Sequence, residues 1–134
     1  MNILGFDPGQ AKCGIAVMDA PHQLLYHAVV ETDQVQATLT HLLQTHPPEQ
    51  VVLGNQTRSR QWRERLQQYC PPHLPIALVD ERNSTLEARD RYWQMYPPRG
   101  LTRLLPQGLR VPPRPVDDIV AILLIERYWA SCQT

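Results

Sequence analysis

Apolar positions in this chain come in short runs separated by turn formers, and the period of each run predicts an element. Ile3-Leu4-Gly5-Phe6, opened by Asn2, is halted by Asp7-Pro8-Gly9; Gly14 to Met18 is a second run and Leu24 to Val30 a third. Runs of this length bounded by Pro, Gly and Asp predict strands, and the short spacers between them predict an antiparallel meander. Over 34–45 the period becomes helical, with Val35, Leu39, Leu42 and Leu43 recurring until Pro47-Pro48 ends the segment. Gln50 to Gly54 predicts a fourth strand, Ser59 to Tyr69 a helix with Trp62 and Leu66 inward, and Ile76 to Val79 a fifth strand. Ser84-Thr85-Leu86-Glu87 has the spacing of a capping box and predicts a helix to about Met95.

Six of the 13 prolines lie between Pro97 and Pro115, a composition that resists regular structure. The last run, Ile119 to Ile125, is apolar throughout, so periodicity alone leaves strand and buried helix open. Asp117-Asp118 at its start favours helix, because carboxylates are stabilised at the positive end of the macrodipole. Three antiparallel strands followed by strands reached through helical crossovers make a mixed α/β sheet, with strands four and five parallel. At 134 residues, one domain spanning 1–134 is expected.

Charge changes the picture. The total is zero, from 13 basic and 13 acidic side chains, which excludes a histone-like polycation. Residues 1–57 nevertheless carry −4 and the remainder +4, and every cation except Lys12 is arginine. Arg58, Arg60, Arg63 and Arg65 crowd together, while 91–116 holds Arg91, Arg99, Arg103, Arg110 and Arg114 without one acid. Arginine forks suit phosphate, although GC-rich coding favours arginine too. No apolar run approaches the roughly 20 residues of a membrane span and no secretory signal opens the chain, so a cytosolic protein without a membrane partner is expected. Cys13, Cys70 and Cys132 form no C-x-x-C pair, which predicts free thiols.

Three acids stand where apolar elements stop: Asp7 after the first strand, Glu81 after the fifth, and Asp117 or Asp118 at the start of the last segment. Singly, each is a turn former or a cap. If the first and fifth strands lay side by side with the last helix beginning above them, the carboxylates would meet and repel. Magnesium or manganese would relieve that repulsion, and two such ions activate water for phosphodiester hydrolysis.

Asp7-Pro8-Gly9 with Gly14-Ile15-Ala16-Val17, then Asp80-Glu81-Arg82-Asn83-Ser84-Thr85-Leu86-Glu87-Ala88-Arg89, then Val116-Asp117 leading a helix that ends Glu126-Arg127-Tyr128-Trp129, together resemble the YqgF family. These are RuvC-like nucleases of the ribonuclease H fold, described as Holliday-junction resolvase-like proteins and as processing nucleases for pre-16S ribosomal RNA. The resemblance spans nearly the full chain, with the block after Asp80 its most specific part. It implies a five-stranded sheet of three antiparallel and two parallel strands, a helical last segment, and Asp7, Glu81 and Asp117 as metal-binding catalytic acids. Asp118 is the reserve metal ligand, and Lys12 falls in a stretch where the family carries basic residues. The loop Gly54-Asn55-Gln56-Thr57-Arg58-Ser59-Arg60 is shorter and richer in arginine than the family's, and the Pro-rich stretch is longer.

The expected function is therefore a magnesium- or manganese-dependent endonuclease on structured RNA or branched DNA. Asp7, Glu81 and Asp117 hold the ions; Lys12, Arg58, Arg60, Arg63, Arg99, Arg103, Arg110 and Arg114 grip phosphates. The alternative is a noncatalytic nucleic-acid-binding or scaffold module of the same fold. A sugar-kinase or actin-like ATPase also opens with D-x-G but needs two such domains, which 134 residues do not supply. Symmetrical junction cutting would require a homodimer, whereas trimming a precursor needs only a monomer. His22, His27, His41, His46 and His73 lack ligand spacing and are assigned to surface or packing. Trp93 and Trp129 are assigned to the core, Trp62 stays open between core and base stacking, and Cys13 is read as packing.

Overall fold

The computed structural model describes residues 1–56 and 58–132, so Thr57 of the arginine-rich loop lies outside the described residues. β1 (Asn2–Asp7), β2 (Lys12–Asp19) and β3 (Gln23–Glu31) form the predicted meander, each strand slightly longer than its apolar run because ladder pairing continues to Asp7↔Gly14 and Lys12↔Glu31. A 3-10 turn at Thr32–Gln34 leads into α1 (Val35–Thr45), then β4 (Gln50–Gly54), α2 (Ser59–Tyr69), β5 (Ile76–Val79), α3 (Ser84–Met95) and α4 (Asp117–Cys132).

The sheet order is β3-β2-β1-β4-β5, with β1, β4 and β5 parallel. β1 and β5 are therefore not side by side: β4 enters next to β1 after its crossover, and β5 adds outside β4. Any meeting of Asp7 with Glu81 has to cross the end of β4.

Alternation divides the sheet into two faces. Leu4, Phe6, Ile15, Val17, Val51 and Leu53 pack against Val35, Leu39 and Leu42 of α1 and Trp62 and Leu66 of α2. Trp62 is 4% exposed, its ring centroid 5.0 Å from that of Phe6, so it belongs to the core and not to a stacking surface. On the opposite face, Ile3, Ala16, Met18 and Val52 meet α4, and Trp93 and Trp129 pack at that core's margin. From Asp118 to Ile125 every residue of α4 is buried, as expected of a helix enclosed between a sheet and a second helix, here α3. Gly5 makes this close seating possible, since a Cβ there would overlap the Ala121 carbonyl. Among the described residues, no helix is long and apolar enough to cross a membrane. All three cysteines are free, and Cys13 is fully buried.

Two local expectations are corrected. Ser84 is not a capping residue: Asn83 precedes the helix at φ 60°, the Ser84 amide donates to the Glu81 carbonyl at 2.9 Å, and Glu87 turns to Arg127. A left-handed residue passes the chain from the β5 loop straight into α3, and Asn tolerates that conformation better than most. The Pro-rich segment is not irregular throughout, because 3-10 turns form at Gly100–Leu104 and Gln107–Leu109. Arg110 closes them, donating from Nε to the Leu105 carbonyl (2.9 Å) and from Nη2 to that of Arg103 (3.2 Å).

Candidate active site

Asp7 is the last residue of β1 and shares the α4-facing side with Ile3 and Gly5. Its partner across β2 is Gly14. A Cβ at Gly14 would overlap the Asp117 carbonyl, so the missing side chain lets the first turn of α4 settle beside Asp7. On the other flank, one step beyond the Phe6↔Leu53 pair, β4 ends in Gly54. A Cβ there would fall on the carboxylate of Glu81. Glu81 thus crosses the end of β4 through the space that glycine leaves open. Two glycines, one on each neighbouring strand, admit the two acids that approach Asp7.

The result is a buried acidic cluster in which Asp7 lies within hydrogen-bonding reach of both Glu81 and Asp117. Asp7 is 8% exposed and Glu81 3%. Burial, followed by the Glu81 and Asp117 charges, pushes Asp7 up to about 8. Burial raises Glu81 to about 7, against the opposing influence of hydrogen bonding to Asp7 and the Arg127 charge. Asp117 is also raised by burial, with Asp7 and Lys12 acting to lower it and Asp118 to raise it. Burial and mutual repulsion thus favour the protonated forms of these acids. Glu81 Oε1 is buried with no hydrogen-bond partner among the described residues. The loop that carries it is fastened locally, with the Glu81 amide donating to Asn55 Oδ1 (3.4 Å) and the Arg82 amide to Asp80 Oδ1 (2.9 Å). Among the described residues, no group of three or more His, Cys, Asp or Glu side chains is already spaced as a cation site.

Asp118, one residue on, is directed elsewhere. It is 2% exposed, with Oδ2 taken by His27 Nδ1 (2.6 Å) and Oδ1 by Arg114 Nη1 (3.0 Å). Successive helical residues point about 100° apart, so one acid of the pair faces the cluster and the other faces β3. The reserve ligand is thus an ion-pair anchor, and His27 is its partner instead of a solitary packing histidine. These groups line a cavity of about 430 Å³ that also includes Lys12 and Glu31. Neither the ion-pair role of His27 nor the space left at Gly54 is evident from local sequence pattern. A polar residue on a helix-covered strand face, and a glycine ending a buried strand, are the signals that mark the two positions.

The predicted phosphate-binding cations divide. Lys12, Arg58, Arg60, Arg63, Arg99 and Arg103 are exposed. Arg58 lines a small cavity with Pro8, Gly9 and Gln56, beside the residue that ends β1. Arg110 holds the Pro-rich turns, and Arg114 is bound to Asp118 and lies over the Tyr92 and Tyr96 rings at 5.3 and 5.6 Å. Their donors serve the fold.

No curated protein matches the chain. Its fold is similar to that of Thermus thermophilus RuvC in complex with a Holliday junction substrate (18% identity, 99% of this chain and 95% of that chain, TM-score 0.63). It is also similar to the Holliday junction resolvase of fowlpox virus (13% identity, 100% of both chains, TM-score 0.62). At such identities the likeness is one of fold, and that fold is the ribonuclease H-like sheet of the resolvases, three strands antiparallel and two parallel. A family model described as RuvX, Holliday junction resolvase, matches residues 1–129, and the chain belongs to that family.

Proposed function

We propose that this protein is a divalent-metal-dependent endonuclease that hydrolyses phosphodiester bonds in structured nucleic acid, either four-way DNA junctions or folded ribosomal precursor RNA. The observation that carries the reading is the seating of Glu81 over Gly54 against Asp7, which also reaches Asp117. Three features support the fit of magnesium or manganese. The donors are carboxylate oxygens alone, one of them is buried and unpartnered, and the acids stand in a strand-end cradle built by omitting two side chains.

Asp7, Glu81 and Asp117 would hold the ion or ions, which when bound supply a water of lowered pKa and neutralise charge on the phosphate. The remaining work falls to the chain. Asp7 would release its proton to solvent as an ion binds, and the sheet and α4 bury the Asp7 and Glu81 carboxylates. Lys12, at the start of β2, and Arg58, beside Pro8 and Gly9, would hold the substrate backbone; Arg60, Arg99 and Arg103 would extend that grip, whereas Arg63 lines a separate cavity with Pro75 and Ile76 at the start of β5.

A cleavage panel tests the reading: four-way DNA junctions, single-stranded RNA and ribosomal precursor RNA, each with magnesium, using Asp7→Asn as the control. Magnesium-dependent cutting of a structured substrate that vanishes in the variant is expected. Equal cutting by parent and variant overturns it.

A further inference from the structure

Ten residues along α4 from Asp117, Arg127 reaches the loop that carries Glu81. Its Nη1 donates to the carbonyl of Asp80 at 2.7 Å and its Nη2 to the carbonyl of Arg82 at 2.9 Å. The same Nη2 meets Glu87 Oε2 at 3.1 Å. The guanidinium therefore grips the backbone on both sides of Glu81 while its charge favours the ionised form of that carboxylate. Neither carbonyl belongs to a strand ladder or a helix, and the loop between β5 and α3 contains the left-handed Asn83. Besides the bonds to Asn55, Asp80 and the Ser84 amide, the loop is fixed by a planar fork that bonds two carbonyls at once, which a lysine ammonium on its flexible stem cannot match in geometry.

We propose that Arg127 is a positioning residue for Glu81, a clamp that sets where its carboxylate enters the cluster over Gly54. The proposal rests on the reading of Asp7, Glu81 and Asp117 as a divalent-metal site. Through it, α4 governs two of the three acids: it carries Asp117 in its first turn and holds the Glu81 loop from its last turns. Partners that orient metal ligands without touching the ion change affinity by roughly 10- to 100-fold when removed. Glu87 binds the same guanidinium from its exposed side and is not needed for the two carbonyl bonds.

Calorimetric titration with manganese separates the possibilities, using the parent, Asp7→Asn, Arg127→Met, Arg127→Lys and Glu87→Gln. Binding of a four-way DNA junction in EDTA and circular dichroism are measured alongside. The parent should bind manganese and Asp7→Asn should not. Arg127→Met should bind manganese at least about 10-fold more weakly with unchanged junction affinity and helical signal, Arg127→Lys should recover part of the loss, and Glu87→Gln should match the parent. Parent-like manganese affinity in Arg127→Met overturns the clamp while leaving the metal site standing. A parallel fall in metal and junction affinity overturns it too, since Arg127 would then serve the fold alone. If Arg127→Met does not fold, Arg127→Lys decides: severalfold weaker manganese binding supports the clamp, and parent affinity removes it. Absence of Asp7-dependent manganese binding in the parent removes both the metal reading and the clamp.

Discussion

Glu81 occupies the space that a side chain at Gly54 would fill. β4 separates β1 from β5, so without this vacancy the Glu81 carboxylate could not reach Asp7. Gly54→Ala should therefore displace Glu81 and lower magnesium-dependent cleavage by at least about 100-fold, at a stability cost of about 1–3 kcal/mol for overpacking. Cleavage rates and denaturant midpoints of the two proteins check this, and full activity in Gly54→Ala contradicts it.

The acid cluster makes the metal-free protein sensitive to alkali. Asp7 is raised to about 8 and Glu81 to about 7, so the folded state holds protons that the unfolded chain loses above about pH 4. The state binding more protons is the folded one, and its advantage is complete below the unfolded pKa and gone above the folded pKa. Stability should fall between about pH 4 and about pH 8, by no more than about 1.4 kcal/mol per pH unit for each proton involved. Urea unfolding in EDTA at about pH 5.5 and about pH 8 should show the loss, and Asp7→Asn should lessen it while leaving the Glu81 share. A parent pH dependence no steeper than that of the variant contradicts the raised Asp7.

Neighbouring acids should behave in opposite ways. Asp117→Asn removes one charge from a repulsive cluster, so cleavage should vanish while the metal-free protein becomes no less stable. Asp118→Ala strips a buried anchor from His27 and Arg114, and should cost about 1–3 kcal/mol, since both partners are partly exposed and can be solvated. Thermal unfolding of both proteins in EDTA distinguishes them; equal destabilisation would mean that the two side chains are not divided as described.

The arginines of the Pro-rich segment also separate by role. Arg103→Ala should weaken junction binding and reduce its logarithmic salt slope by about 1, as expected for one lost phosphate contact. Arg110→Ala should instead accelerate hydrogen exchange of the 3-10 turns it closes. Salt-dependent binding and exchange rates measured on both variants provide the check, and identical behaviour argues against the division.

Much of this fold is legible in local pattern. The five strands and four helices follow from period, Pro placement and strand-end acids, because burial on two faces of a sheet imposes those periods. The acids too are visible as residues that interrupt apolar runs. Strand order is not: nothing local in Ile76 to Val79 shows that β4 lies between it and β1. Nor does Asp117-Asp118 reveal by itself which acid faces which neighbour, since that depends on the angle at which α4 settles on Gly5 and Gly14. The capping box failed for a related reason. Ser84 has the right spacing, but Glu87 finds Arg127 across the α3–α4 interface, and a long-range partner outcompetes a local one.

Asp7 lies in the first strand and Asp117 opens the last helix, with Glu81 in between. During synthesis a nascent chain therefore exposes its first two acids well before α4 has emerged to complete the set. On the proposed reading, the metal-holding set is complete only once α4 has folded, so translation itself times when the site is assembled.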